Sequence, residues 1–185
     1  MQTFLIIVGI LSFISILMYN SLIAKKNQVD NIFASVDTVL KQRYDLLPNL
    51  IATVKEYMAH ERETLENITA LRSQALKGGL DSESKMALDA QFSKMLGGLM
   101  VAVENYPDLK ANQNFLHLQH TLNELEEQIS AARRAYNQSV TDFNNALEMF
   151  PTNLMAGLMR LSPKHLFESP SNERQSVDVS QFFKK

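Results

Sequence analysis

The chain opens with an apolar run that precedes a long stretch of amphipathic patterning. No charged side chain occurs between Met1 and Ala24, and Lys25 and Lys26 follow directly. At ~1.5 Å per residue, about 20 helical residues cover the ~30 Å hydrocarbon core of a bilayer. The pattern therefore predicts a membrane-spanning helix with Tyr19 at the interface. The predicted span includes Phe4, Ile6, Ile7, Leu11, Phe13, Ile16, Leu17 and Tyr19.

Two alternatives compete with a membrane anchor. A cleaved signal peptide would carry positive charge before its apolar run and small residues before its cleavage site, whereas here Leu22 stands where a small residue is preferred. A buried helix of a soluble domain is the other alternative. Basic residues follow the span and none precedes it, so the positive-inside rule predicts an outer N-terminus and a cytoplasmic domain.

Beyond the anchor, apolar residues recur at spacings of three and four, which predicts helices. The first stripe runs from Val29 to Leu40, and its helix is expected to end near Tyr44. Asp45 is then expected to cap a second helix with Pro48 in its first turn. The second stripe runs from Leu47 to Leu71 and is expected to stop at Gly78-Gly79. The segment "RYDLLPNLIATVKEYMAHE" (43–61) is accordingly interpreted as a helix-turn-helix corner.

Two further helices follow, with caps and prolines as boundaries. Asp81-Ser82 predicts the start of a third helix, and Pro107 separates it from a fourth. The fourth stripe keeps its spacing from Phe115 to Phe150, and a helix from Leu109 to Met149 would span ~60 Å, which predicts a coiled-coil-like seam. Pro151 ends it before a short apolar helix at 152–161.

This organisation predicts an all-α protein with three parts. Residues 1–25 form a single transmembrane anchor, residues 26–161 an antiparallel up-and-down four-helix bundle with long helices, and residues 162–185 a flexible or docked tail. The apolar ending "VDVSQFFKK" is expected to contact the bundle, a partner or the membrane.

Composition excludes several functions. The net charge is −2 and no basic stripe interleaves with aromatic residues, so a nucleic-acid partner is not expected. Cysteine is absent, which removes disulfides, thiolate zinc ligands and cysteine nucleophiles. No glycine-rich phosphate loop or nucleophile elbow occurs.

The candidate metal sites and acid–base sites in the sequence each lack residues that they would need. His60-Glu61 begins "HERET", but a zinc protease needs a second histidine where Thr64 stands. His117 and His120 with Glu124 share neighbouring helix faces, yet they need ligands from another helix. We therefore expect no catalytic residues, no metal and no cofactor, and a chain that is not an enzyme.

Asparagines interrupt the apolar stripes at Asn49, Asn112, Asn114, Asn137 and Asn144. An asparagine in a helical seam can fix register, and one near a turn can cap a helix. For "PDLKANQNF" we expect a turn and a helix start, packed through Leu109 and Phe115.

Four spaced segments resemble the LemA family: "RYDLLPNLIATVKEYMAHE" (43–61), "DLKANQNFLHLQ" (108–119), "AARRAYNQSV" (131–140) and "FNNALEMFP" (143–151). The resemblance implies an N-terminal membrane helix, a bromodomain-like up-and-down four-helix bundle and no established catalytic activity. Some relatives are associated with membrane remodelling in magnetosome-forming bacteria. The motif positions, expected to serve as caps, seams and contacts, are Tyr44, Asp45, Pro48, Asn49, His60, Glu61, Asn112, Asn114, Arg133, Tyr136 and Asn137.

Two functional hypotheses follow. The first is a membrane-anchored, non-enzymatic scaffold that forms homo-oligomers and organises the bilayer, with exposed charges such as Glu126 and Arg133 at its contacts. The alternative is a membrane-tethered signalling or protein-interaction adaptor with an unknown protein partner.

Overall fold

The computed structural model describes residues 1–167, and every regular element in that range is helical. The prediction of an all-helical chain is confirmed for these residues. A 3₁₀ turn at Ala59–Glu61 joins the first two helices. The helices are α1 (Gln2–Lys55), α2 (Arg62–Ala75), α3 (Ser82–Val103), α4 (Pro107–Lys110), α5 (Gln113–Glu148) and α6 (Thr152–Leu158).

Helix α1 continues through Pro48, so the predicted helix end near Tyr44 is wrong. A proline inside a helix leaves the carbonyl four residues earlier without its usual donor. That carbonyl belongs to Tyr44, and the Nε of Arg72 on α2 donates a hydrogen bond to it at 2.8 Å. Within the segment 43–61 the chain turns only near the segment's end, after Lys55. Asp45 caps no helix.

The later helix boundaries follow local signals more closely. The carboxylate of Asp81 accepts a hydrogen bond from the Ser84 N–H at 2.8 Å, so Asp81 caps α3 as predicted. Helix α2 ends at Ala75, slightly before the predicted glycine pair, and Gly79 takes a positive φ of 85°. Pro107 occupies the first turn of α4, where its missing N–H costs nothing.

Long-range contacts give the helix directions. Leu22 clusters with Ala146, whereas Tyr57 at the other end of α1 contacts Asn112, so α1 and α5 are antiparallel. After the turn, α2 runs back along α1 in the opposite direction, so that Arg72 contacts Tyr44. Helix α3 then runs alongside α1 in the same direction, because Lys85 contacts Asp37 and Ser93 contacts Arg43.

One core lies between these four longer helices. It includes three fully or nearly fully buried aromatic rings, Phe92, Phe115 and Phe143, each about 1% exposed. The α1 side chains buried in it are spaced by three, four or seven residues, which places them on one side of the helix, as the sequence pattern predicts. They are Val29, Val36, Leu40, Tyr44, Leu47, Leu50 and Val54.

Candidate functional site

The N-terminal part of α1 is apolar on every face and exposed. All eight residues of the predicted span are exposed, from 67% at Phe4 to 47% at Tyr19. A helix that is hydrophobic all round needs an apolar environment to cover it. By length and composition, α1 contains one segment able to cross a membrane.

This segment joins the helical domain without a linker. Exposure ends at Leu22, whose side chain is 0% exposed because it packs with Ala146 and Ala156. Val29 and Val36, further along the same helix, are also buried. The helix that carries the apolar segment is therefore also a core helix of the domain, and α1 crosses the expected boundary at residues 25 and 26 unbroken.

A buried ion-pair network lies at the middle of the domain, where α1, α3 and α5 meet. Arg43 is 0% exposed and Asp89 is 1% exposed. Asp89 accepts from the guanidinium groups of both Arg43 and Arg133, one on each carboxylate oxygen. Arg43 also donates to Glu126 Oε2 at 2.7 Å and to Ser93 Oγ at 3.2 Å. A single carboxylate thus links three helices through two arginines.

Aromatic rings cover the two arginines of this network. The guanidinium carbon of Arg43 lies 4.8 Å from the ring centroid of Phe92 and 5.8 Å from that of Tyr44. That of Arg133 lies 5.8 Å from the centroid of Phe167. Ring faces attract cations most where water is excluded, so these contacts add to the charge pairing. Arg133 and Glu126, expected to be exposed contact residues, both belong to this network, but only Arg133 is largely covered, with 16% of its side chain exposed against 47% for Glu126.

The network changes the ionisation of Tyr44. Burial raises the pKa of this tyrosine above its ordinary value of 10.0, and the negative charge of Asp89 raises it further. The positive charge of Arg43 acts in the opposite direction. Tyr44 therefore stays protonated to higher pH than a tyrosine in water.

Residues 162–167 form an extended strap along α5. The side-chain amide of Asn137 donates to the Phe167 carbonyl at 3.0 Å and accepts from the Phe167 N–H at 2.8 Å. Asn144 makes the same reciprocal pair with Lys164, both at 2.9 Å. These two asparagines lie seven residues apart, two helical turns, so both face the strap. They satisfy backbone groups of a segment that has no regular structure.

Phe167 fixes the end of the strap in the core. Its ring centroid lies 5.3 Å from that of Tyr136 and 6.4 Å from that of Phe33. The Tyr136 hydroxyl donates to the His165 carbonyl at 3.3 Å. The start of the predicted tail is thus docked on α1 and α5, and the expected contacts of "VDVSQFFKK" fall outside the described residues.

A surface cleft of about 360 Å³ lies beside the strap. The walls of the cleft carry positive and negative side chains. Lys164 pairs with Asp30 on one side, and Lys85 of α3 also lines the cleft. Burial raises the pKa of Tyr136 in this wall, and the negative charge of Asp30 adds to the increase.

The remaining motif residues lie apart from the network and the strap. Asp45, Pro48 and Asn49 are exposed on continuous α1. His60 and Glu61 lie in the 3₁₀ turn after it.

Asn112 is different, because its side chain accepts from the N–H groups of Asn114 and Phe115 and donates to the Tyr57 hydroxyl at 3.0 Å. It caps α5 and ties that cap to the end of α1.

The two histidines considered as metal ligands lie on the exposed face of α5. His120 Nδ1 is 3.6 Å from Glu124 Oε2, an ordinary contact between residues one turn apart. Between Met1 and Phe167, no group of three or more histidine, aspartate or glutamate side chains is placed to hold one ion.

Two members of the network, Arg43 and Asp89, were missed as site residues by sequence reasoning. A signal for both exists in the apolar spacing. Arg43 falls between Leu40 and Leu47 at spacings of three and four, so its position faces the core. Asp89 precedes Phe92 by three residues on the buried side of α3. A charged residue in register with a core stripe predicts a buried charge pair.

The described residues define an all-helical protein whose longest helix begins as a candidate membrane span and ends in a packed domain with a central ion-pair network. The model of the LemA family matches residues 32–182, and the chain belongs to that family. The resemblance stated from sequence motifs is thereby confirmed.

Curated relatives match over most of their length. Protein LemA of Metamycoplasma hominis is 30% identical over 178 residues, which cover 96% of this chain and 81% of that protein. Magnetosome protein MamQ of Magnetospirillum gryphiswaldense is 20% identical over 206 residues, 95% of this chain and 75% of its own. Magnetosome protein MamQ 1 of Paramagnetospirillum magneticum is 20% identical over 204 residues with the same two coverages.

Proposed function

We propose that this chain is a non-enzymatic scaffold, anchored in a bacterial membrane by residues 1–25, whose four-helix bundle associates with copies of itself. The observation that carries the proposal is the unbroken course of α1 from the exposed apolar segment into the core. A flexible tether would let the domain turn freely, whereas a continuous helix holds it at one height and orientation. Neighbouring copies would then present matching faces to each other.

Confinement to a bilayer supports association through weak contacts. Anchored domains share a thin layer, which raises their effective concentration without any new contact. Two relatives carry the name magnetosome protein, which supports a part in building a cellular structure. A homo-oligomer held by lateral contacts fits both considerations.

The test places an insertion between Asn20 and Ser21 of the full-length protein, reconstituted in liposomes and imaged by cryo-electron microscopy. Four alanines add slightly more than one turn and keep the helix continuous, whereas Gly-Ser-Gly-Ser breaks its stiffness. We expect ordered arrays or deformed bilayers with the wild type and the alanine insertion, and their loss with the glycine-serine insertion. Isolated, unordered domains on undisturbed wild-type vesicles would contradict the scaffold.

The contact face is tested by charge reversal at exposed positions. Glu127→Lys and Arg134→Glu on α5 are suitable because both side chains are exposed. Reversal of Arg133 or Glu126 would test folding instead, since both belong to the buried network. If these reversals and equivalent ones on the other helices left arrays unchanged, self-association through charged faces would be wrong.

The second candidate is an adaptor that holds a protein partner at the membrane, favoured by the cleft beside the strap. The chain should be cut after Phe167, because a cut after Ser162 would also remove Phe167 from the core. Loss of a specific membrane-protein partner on removal of 168–185 would support the adaptor. Unchanged capture would exclude that segment as the binding element.

We propose that the helical domain faces the cytoplasm, because basic residues follow the span. The chain has no cysteine, so a single Lys77→Cys in the exposed loop gives a unique label site. Labelling by an impermeant maleimide only after lysis would support this orientation, and labelling of intact spheroplasts would contradict it.

A further inference from the structure

A second apolar surface lies beside the base of α1. It consists of the turn before α6, with Met149 and Phe150, and one face of α6, with Leu154 and Leu158. Phe150 is 79% exposed, Leu154 62% and Leu158 80%. Leu154 and Leu158 are four residues apart, so they lie on the same side of their helix. No described residue covers them.

The opposite side of α6 is packed, which fixes where this surface lies. Ala156 is buried against Leu22 and Ala146, and Met155 and Met159 pack on the same cluster. Leu22 follows Tyr19 by three residues, or ~4.5 Å along a helix. The outward face of α6 therefore lies at the level where the exposed apolar segment of α1 ends.

The first charged residues occur directly after these two apolar segments. No charged residue occurs from Met149 to Met159, and Arg160 comes directly after. Lys25 and Lys26 lie just beyond Leu22 on α1. An apolar helix face next to basic residues is the pattern of a helix that lies in the plane of a membrane interface.

We propose that α6 and the turn before it lie in the membrane interface, with lipid as the occupant of their outward face. The inference rests on the proposed anchor, because the anchor sets the depth of Leu22. Continuity of the two apolar surfaces argues for lipid rather than for a second copy of the chain. Two contacts, a span and an interfacial helix, would fix how the domain is rotated and tilted on the bilayer.

The chain has no tryptophan, so single substitutions give unique fluorescent reporters. Phe150→Trp and Leu154→Trp report on the proposed surface, and both positions are exposed enough to accept the larger ring. Phe13→Trp reports on the anchor. Val101→Trp is the matched control, since Val101 is 72% exposed but lies near the end of α3, away from the anchor.

Each full-length variant is reconstituted in phosphatidylcholine–phosphatidylglycerol vesicles that contain lipids brominated near the headgroup or near the chain end. We expect Phe150→Trp and Leu154→Trp to be blue-shifted and quenched most by the shallow bromines. Phe13→Trp should be quenched most by the deep bromines, and Val101→Trp by neither.

The outcomes separate the interfacial helix from the anchor. Quenching of Phe13→Trp without quenching at positions 150 and 154 would overturn the interfacial helix and leave the anchor standing. A blue shift at 150 and 154 without quenching would assign the surface to protein, either a second copy of the chain or its own residues 168–185, and would also overturn the interfacial helix. Quenching at positions 150 and 154 without quenching of Phe13→Trp would support the interfacial contact and contradict the anchor. No quenching at any position would contradict both.

Discussion

Arg43 occupies a core position that its neighbours on α1 fill with leucine and valine. A buried guanidinium is tolerated here because Asp89, Glu126 and Ser93 accept hydrogen bonds from its two terminal nitrogens and aromatic rings cover it, although its Nε has no partner among the described residues. A buried ion-pair network adds little to the free energy of unfolding compared with apolar residues of the same volume. Removal of one partner is nevertheless costly, because it leaves the other charge buried and unpaired. Its three-helix geometry also fixes how α1, α3 and α5 align.

Asp89→Asn tests this cost at the residue scale. The substitution keeps the side-chain shape and removes the charge that Arg43 and Arg133 share. We expect the free energy of unfolding to fall by about 3 kcal/mol or more, as for other broken buried pairs. Urea unfolding of the full chain in detergent, followed by circular dichroism, measures it. Glu127→Gln is the control, because Glu127 is an exposed carboxylate on α5. If Asp89→Asn and Glu127→Gln had equally small effects on the free energy of unfolding, the network would not stabilise the fold.

Tyr44 gives a prediction of pH dependence. Burial and the charge of Asp89 raise its pKa, so the folded chain retains this proton at a pH where the unfolded chain releases it. The resulting stabilisation is complete below the unfolded pKa of ~10 and is lost as pH rises toward the folded pKa.

We therefore expect the free energy of unfolding to decrease above about pH 10, and to decrease less steeply in Tyr44→Phe. Urea unfolding at a series of alkaline pH values measures both slopes. The difference between the variants at pH ~8, where tyrosines are protonated, serves as the reference. Parallel curves for the two proteins would show that Tyr44 does not contribute.

At the scale of elements, α1 shows how a long-range contact overrides a local signal. Pro48 indicates a helix boundary, yet the carbonyl it frees receives a hydrogen bond from Arg72, 28 residues away. Arg72 also places α2 against α1, so the same contact preserves one helix and docks another. The break appears instead after Lys55, where the chain turns through residues 56–61.

A double-mutant cycle tests this contact. Arg72→Met removes the donor and keeps most of the apolar stem, and we expect it to cost about 1–2 kcal/mol. In a Pro48→Ala background, the backbone N–H restored at position 48 can bond the Tyr44 carbonyl, so Arg72→Met should cost less. Denaturant unfolding of the four proteins gives the coupling energy. Equal costs in the two backgrounds would mean that Arg72 does not replace the missing helical donor.

Caps and prolines explain which elements the sequence could predict. Asp81 and Asn112 bond amides only two or three residues ahead, so the starts of α3 and α5 are visible in short windows. A flexible or docked tail was predicted, but the contacts of the strap were not, because Asn137 and Asn144 bind backbone groups 20 or 30 residues away. The apolar spacing indicates that Arg43 and Asp89 are buried, but they pair across 46 residues, and no local pattern specifies which partner each one takes.

At the scale of the whole molecule, the proposed anchor would make α1 the spacer between membrane and domain. From Leu22 to Lys55 the helix is continuous, and 33 residues at ~1.5 Å each give ~50 Å. The turn at Ala59–Glu61 and the α5 cap at Asn112 lie at the far end. A protein built in this way would hold one end of its domain at the bilayer and the other well above it.

Neutron reflectometry of the full-length protein in a supported bilayer measures this height. We expect a protein layer about 50 Å thick with a sharp outer edge, because a continuous helix resists bending. The four-alanine insertion between Asn20 and Ser21 should keep that edge. The Gly-Ser-Gly-Ser insertion should make the layer thinner and broader, since the domain can then lie over. A thin, diffuse layer for the wild type would mean that α1 is not stiff at the membrane surface, and the rigid link on which lateral assembly depends would be lost.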